Sequence, residues 1–423
     1  MKKRAKIFEA ELSVKRLLYN IVSVRHTCKL KKQREVKVMN KRKFASAGLV
    51  LSVLALLTVG IIMSAGCSRK PANKGEILIG AVAPTTGTYA EMGNDLLNAV
   101  KMAVDEKNAA GGIDGRKIRL IIEDDKGSPK DAVSVAQKIT GNSSIIGVIG
   151  HLNSGTTLPA STVYSDGGLA LIMPVPTNPA ITTQGLKNLF RIPITDDKQG
   201  PAIISFAIDK MHKKNFAIIH NKDAYGEGIA TEAKKELERR GMSPVVFDSV
   251  NANDQDFKPV ISKLINASNT PDAVFFGGGY AEAALFIKQS RQLGLNATFF
   301  MGDGCFDSQL IQIAGASAEG AFISNIAPVT APTKEAKVFY DKYNEKYGKI
   351  VAFAPLGYVA ANILLDAIEK SKDKTREGVL KVLQAPSYSY NSILGEFSFN
   401  KNGDSKGQKV FFHEVKNGKF VTF

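Results

Sequence analysis

From Glu76 onward, short uninterrupted apolar runs alternate with longer amphipathic stretches, and no other feature restricts the fold as strongly. The runs begin with Ile77-Leu-Ile-Gly-Ala-Val82 and continue at 118–122, 145–149, 169–173, 216–220, 244–247, 273–276 and 298–301. Most are continuous rather than alternating apolar and polar. That pattern belongs to strands covered on both faces, as in a parallel sheet flanked by helices. Residues 90–109 carry a helical pattern, and Ser128-Pro129 supplies an N-cap and a first-turn proline for a helix over 130–140. Asn108-Ala-Ala-Gly-Gly-Ile-Asp-Gly115 reads as a helix stop and a tight turn, with three glycines free to take positive φ. The 423 residues exceed what one hydrophobic core usually serves, so two α/β units are expected. Arg191-Ile-Pro-Ile-Thr-Asp196, between two strand-helix sets, reads as a crossing from one to the other.

The formal charge of +16 would suggest a nucleic acid or an anionic membrane if it were spread over the folded part. It is concentrated instead in residues 1–43, which hold 15 Lys or Arg against Glu9, Glu11 and Glu35. The remainder carries 41 basic and 37 acidic residues, and it has no zinc spacing or aromatic-basic recognition motif. Nucleic acid is therefore dropped as a partner. After Lys41-Arg-Lys43, the uncharged run 44–66 ends in Met63-Ser-Ala-Gly-Cys67, which looks like an export signal. Its last residues resemble a bacterial lipobox, with Cys67 as the lipidated residue, although Ser64 stands where that pattern usually has an aliphatic side chain. An uncleaved membrane span and ordinary cleaved secretion are the alternatives, since about 20 apolar residues can cross a bilayer. The reading is a leader and signal over 1–66 and a short tether over 67–75. Met39 is a more usual start for such a signal, which would make 1–38 a mis-called beginning. Of the three cysteines only Cys305 lies in the body, so no disulfide is expected there, and Cys305 reads as a buried small apolar residue.

Two loops carry the chemistry. Ile149-Gly-His-Leu-Asn-Ser-Gly-Thr-Thr-Leu-Pro-Ala-Ser161 and Ile172-Met-Pro-Val-Pro-Thr-Asn-Pro-Ala-Ile-Thr182 each run from an apolar strand into hydroxyl side chains and free backbone N–H groups. Such a strand end beside a helix start suits a small anion such as a carboxylate. Glu123-Asp-Asp125 suggests a metal at first sight, but no further ligand follows at a fitting spacing, and a turn leading into the Ser128 cap is the simpler reading. No metal or cofactor is expected.

Taken together, several of these segments resemble the periplasmic binding proteins for branched-chain amino acids that feed ABC transporters. The likeness covers almost all of 76–423. It rests on 79–93, Gly111-Gly-Ile-Asp-Gly115, Gly150-His-Leu-Asn-Ser-Gly155, 174–182, Tyr225-Gly-Glu-Gly228, Phe275-Phe-Gly-Gly-Gly-Tyr280, Met301-Gly-Asp-Gly304 and Ala318-Glu-Gly320. The resemblance implies a type I periplasmic-binding fold: two Rossmann-like α/β lobes with parallel sheets, joined by a three-strand hinge and closing over the ligand. It places 76–195 with 327–405 in the first lobe and 196–326 with 406–423 in the second. By position, Ser154 would bind the ligand carboxylate together with the N–H of Val175 and the hydroxyl and N–H of Thr177. Asp303 would meet the ammonium group. Relatives place an aromatic residue where this chain has Gly279, so the accompanying Tyr is either Tyr280, from a shifted loop, or in part Tyr225. Selectivity would come from Tyr89 and Met92 in the loop 86–93 and from Phe353, an apolar lining that favours aliphatic Leu, Ile or Val. Some relatives have a disulfide where this chain has Gly127 and Asn153. The implied protein is a monomer, exported and lipid-anchored, that hands its amino acid to a permease.

Enzymatic readings are weak. Gly277-Gly-Gly-Tyr-Ala-Glu282 follows a strand, yet the last position of a dinucleotide-binding G-x-G-x-x-G is Glu282. There is no G-x-S-x-G around Ser154 and no H-E-x-x-H, and the five histidines are scattered. His151, three residues before Ser154, has no partner acid indicated by its neighbours in sequence and reads as a packed strand-end residue. An amide, urea or aromatic-acid binder on the same scaffold, or a ligand sensor, are the remaining alternatives.

Overall fold

In the computed structural model, which describes residues 75–407 and 409–423, the apolar runs form two α/β sheets. The leader, the signal-like run, Cys67 and most of the tether lie outside the described residues. The first sheet uses β1 (Ile77–Val82), β2 (Ile118–Glu123), β3 (Ile145–Gly150), β4 (Ala170–Met173) and β5 (Leu189–Arg191). They are wholly parallel in the order β2-β1-β3-β4-β5, with Ile77 opposite Ile118 and Leu171 opposite Leu189. Between them run α1 (Ala90–Ala109), α2 (Pro129–Gly141) and α3 (Ser154–Asp166). Ser128 caps α2, its hydroxyl accepting from the Asp131 N–H. After α1 the chain turns through Gly111, Gly112 and Gly115, all at positive φ. A Cβ on Gly112 would lie 2.0 Å from the Arg116 carbonyl oxygen, so only glycine fits.

The second half contributes α4 (Asp196–Asp209), β6 (Phe216–His220), α5 (Ala224–Arg239), β7 (Val246–Ser249), α6 (Lys258–Ile265), β8 (Ala273–Gly277), α7 (Tyr280–Gln292), β9 (Thr298–Met301), α8 (Ser308–Ala314) and β10 (Phe322–Asn325). Then come α9 (Lys334–Tyr347), α10 (Ala354–Lys370) and α11 (Arg376–Leu383), followed by β11 (Tyr390–Ser392), β12 (Gly395–Phe397), β13 (Phe411–Lys416) and β14 (Lys419–Thr422). The second sheet runs β14-β13-β10-β9-β8-β6-β7, while β11 and β12 pair only with each other. Its strands β6 to β10 are parallel, whereas β13 and β14 add an antiparallel edge. That edge departs from an all-parallel expectation. Its hairpin turns on Asn417-Gly418, both at positive φ, the pair favoured in a two-residue turn of this hand.

Helix α10 packs on α1 against one face of the first sheet, and α2 with α3 covers the other. In the second sheet α4 and α5 cover one face, and α6, α7 and α8 the other. The chain passes between the sheets three times: after β5, after β10 and before β13. Two of these crossings lie side by side, the Arg191 N–H donating to the Gly403 carbonyl at 2.8 Å and the Ser405 hydroxyl to the Ile192 carbonyl at 2.7 Å.

Candidate ligand-binding cleft

The carboxyl ends of both parallel sheets point toward one cavity of about 390 Å³, where ligands of open α/β sheets characteristically bind. The loops after β1, β2, β3 and β4 form one wall, those after β6, β7, β8 and β9 the other, and Phe353 ahead of α10 completes the lining.

One pole of the cavity is a donor array. The Asn153 side chain gives α3 no cap, and the first intrahelical bond runs from the Thr157 N–H to the Asn153 carbonyl at 3.0 Å. The N–H groups of Ser154, Gly155 and Thr156 precede that bond, and all three residues line the cavity. They present the positive end of α3 to whatever enters. The Ser154 hydroxyl oxygen accepts from the Asn178 N–H at 3.3 Å, which leaves its proton free for a ligand oxygen. Val175, Pro176 and Thr177, following β4, lie beside it.

Arg191 holds this loop in shape, a role that sequence reasoning missed. Its wholly buried guanidinium donates to the Pro176 carbonyl (2.8 Å), the Asn178 carbonyl (2.9 Å), the Thr182 hydroxyl (3.0 Å) and Asp404 (2.9 Å). Asp404 lies 213 residues from Arg191, so local sequence gave no sign of that pairing. A second brace lies behind α3. His151 Nδ1 pairs with Asp125 at 2.6 Å and its Nε2 with the Tyr164 hydroxyl at 3.2 Å, all three being buried. His151 therefore does have a partner acid, contrary to the sequence reading, because the β2 loop brings Asp125 across from 26 residues away. The acidic run is spent on the same bracing: Asp124 accepts from the Thr85 and Lys126 N–H groups and the Thr86 hydroxyl, and Asp125 from the Gly127 N–H.

The opposite pole is acidic. Asp303, 3% exposed, accepts the Tyr225 hydroxyl at 2.9 Å, and that hydroxyl in turn accepts from the Gly304 N–H at 3.1 Å. Burial pushes the Asp303 carboxyl up to about 6, with the Tyr225 hydrogen bond partly opposing it. Asp223 and Glu282 line the same wall, and Asp223 also caps α5 by accepting from the Gly226 N–H. Sequence reasoning passed over Glu282 except as a break in a nucleotide motif, although its place in the first turn of α7 was legible.

The apolar part of the lining comprises Tyr89, Met92, Leu152 and Phe353, with Val175 beside the donor array. Phe353 is fixed by Asp95, whose carboxylate accepts from the N–H groups of Val351, Ala352, Phe353 and Ala354 and from the Tyr343 hydroxyl. Eight of the nine residues expected at the site thus line one cavity: Ser154, Val175, Thr177, Asp303, Tyr225, Met92, Tyr89 and Phe353. Tyr280 is the exception. It does not line the cavity: its ring packs at right angles to that of Tyr89, and its hydroxyl donates to the Thr88 carbonyl at 2.6 Å. Gly279 occupies the lining instead, since a Cβ there would come within 2.2 Å of the Tyr89 hydroxyl. Cys305 is buried and its Sγ faces the Gly278 carbonyl.

Residues 76–419 match the family model described as periplasmic binding protein. The chain belongs to that family. It is 34% identical over 331 residues to the Leu/Ile/Val-binding protein homolog 1 of Brucella suis, covering 78% of this chain and 88% of the relative. Identity is 35% over 331 residues to the leucine-, isoleucine-, valine-, threonine- and alanine-binding protein of Pseudomonas aeruginosa, with 78% and 87% covered. Among solved structures, the branched-chain amino acid transporter substrate-binding protein of Streptococcus pneumoniae, in complex with isoleucine, superposes with a TM-score of 0.74 at 26% identity. That superposition covers 82% of this chain and all of that one. The fold of this family member is accordingly α/β with two Rossmann-like lobes.

Proposed function

We propose that this periplasmic binding protein is the extracytoplasmic solute-binding component of an ABC transporter, capturing branched-chain or other aliphatic amino acids and delivering them to a permease. One observation carries the reading: a single cavity sets helix-end amides and hydroxyls opposite buried carboxylates, with apolar side chains in the same lining. That layout complements a zwitterion with an aliphatic side chain. The carboxylate would lie on Ser154, Val175 and Thr177, the ammonium on Asp303 beside Tyr225, and the side chain against Met92, Tyr89 and Phe353. The names of the Brucella, Pseudomonas and Streptococcus proteins agree with this ligand class. The lobes would comprise 76–195 with 327–405 and 196–326 with 406–423, closing about the three crossings. Export as a monomer, with a lipid on Cys67, belongs to the same proposal.

Thermal unfolding against a panel of amino acids tests it. A ligand at ~100 times its dissociation constant adds about 2.7 kcal/mol to stability. A rise in Tm with Leu, Ile or Val, and none with isoamylamine or 4-methylpentanoate at equal concentration, is the expected result. A shift only with an amide, urea or an aromatic acid would overturn the ligand class while leaving the fold untouched.

A further inference from the structure

The cavity holds one acid that the proposed ligand contacts leave unexplained. Glu282 sits in the first turn of α7 and is 5% exposed. Its Oε1 accepts the Asn253 N–H at 3.1 Å, and its Oε2 has no hydrogen-bond partner among the described residues. Oε2 lies 3.1 Å from where a Cβ on Gly279, another lining residue, would be, and the Tyr89 hydroxyl lies 2.2 Å from the same point. The basic side chain that lines this cavity, Lys126, is committed elsewhere: its Nζ lies 3.3 Å from Asp131 and the side chain is 59% exposed. A buried carboxylate oxygen without a donor is strongly disfavoured, so its donor is best supplied by what the cavity binds.

Resting on the amino-acid reading above, we propose that Glu282 Oε2 is a second acceptor for the ligand's ammonium group, shared with Asp303. An ammonium carries three N–H donors, which suits two carboxylates on one wall better than a single acidic contact does. The pair makes the site selective for an unsubstituted primary ammonium. An N-methyl amino acid gives up one donor and puts a methyl group against a buried carboxylate. A deaminated acid leaves both carboxylates facing a void.

Titration calorimetry on the purified protein, with leucine, N-methylleucine and 4-methylpentanoate, tests this. In the unaltered protein N-methylleucine binds about tenfold or more weaker than leucine, the value of a charged hydrogen bond. Glu282→Gln keeps an oxygen for the Asn253 N–H and turns an amide N–H₂ toward the ammonium. Leucine affinity then falls roughly tenfold, the preference over N-methylleucine shrinks, and 4-methylpentanoate binds no worse than before. Three results would overturn the proposal. These are equal affinity of the unaltered protein for leucine and N-methylleucine, leucine affinity unchanged in Glu282→Gln, or equal losses for leucine and 4-methylpentanoate, which would mean that Glu282 only braces the Asn253 loop. The comparison of leucine with N-methylleucine needs no variant, so a poorly folding Glu282→Gln does not remove the test. An unaltered protein that binds no α-amino acid at all defeats the amino-acid reading itself, and this inference with it.

Discussion

In the proposed site, Asp303 would tie affinity to pH. Holding an ammonium requires its ionised form, and burial raises its carboxyl to about 6. Leucine affinity is therefore expected to weaken as pH falls from 7.5 to 5, and Asp303→Asn should bind weakly with little pH dependence. Calorimetry at four pH values would show it, and a wild-type profile as flat as the variant's would sink the assignment. On the ligand-free fold the same shift has the opposite sign. A carboxyl whose folded pKa is raised contributes stability that is full below its unfolded value near 3.9 and is lost as pH rises through about 6. The ligand-free Tm should accordingly fall across that window less in Asp303→Asn than in the wild type. At the donor pole, Ser154 accepts from Asn178 and has its own proton to give. Ser154→Ala should weaken leucine binding by about 1.5 to 3 kcal/mol, the value of a hydrogen bond to a charged group, without changing the response to pH. An unaltered dissociation constant would remove the hydroxyl from the site.

Among the elements, the strands that cross the cores were legible because they are buried on both faces and so read as unbroken apolar runs. Leu169 to Met173, for instance, became β4 almost to the residue. The short edges were not. β5 has three residues and carries Arg191 at its end, and β11 with β12 pair only with each other, so neither shows a periodicity that a sequence can display. The β13–β14 hairpin had a readable signal in Asn417-Gly418 that went unused. The same division holds at the site. Ser154, Thr177 and Asp303 stand at strand ends where local chemistry is visible, whereas the residues that brace them work through partners far along the chain. Asp95 shows this best, because it sits in the second turn of α1 yet supplies the acceptor for four N–H groups at the start of α10, more than 250 residues away. Asp95→Ala leaves those four N–H groups without their carboxylate acceptor, while the Tyr343 hydroxyl keeps only the Asp95 backbone carbonyl. The expected cost is about 3 kcal/mol in denaturant unfolding, with weaker leucine binding as Phe353 loses its anchor. A stability within 0.5 kcal/mol of wild type, on the order of an ordinary surface change, would show that water satisfies the helix start instead.

At the scale of the molecule, side-chain hydrogen bonds join the two lobes across the cleft besides the hinge. Tyr280 donates to the Thr88 carbonyl at 2.6 Å, Gln309 to Glu91 at 2.7 Å, and the Asn178 side-chain amide to the Ala224 carbonyl. Each pair joins a residue packed on the first sheet to one packed on the second, so each exists only when the lobes are together. Tyr280 is therefore expected to act on binding without lining the cavity. If ligand binds the closed arrangement, its apparent dissociation constant is the intrinsic one divided by the fraction of molecules that are closed. Removing one neutral hydrogen bond shifts that balance by about 0.5 to 1.5 kcal/mol, which predicts a loss of affinity of roughly 2- to 12-fold in Tyr280→Phe. The ring and its edge-on packing with Tyr89 are retained, so side-chain preference among Leu, Ile and Val should not change, nor should the pH dependence set by Asp303. Small-angle scattering separates this from a lost ligand contact. The ligand-free variant should have a larger radius of gyration than ligand-free wild type, its closed fraction being smaller, whereas a lost ligand contact leaves the ligand-free value unchanged. Wild-type affinity in Tyr280→Phe would show that the Thr88 contact adds nothing to closure, and an altered ranking of ligands would return Tyr280 to the binding site.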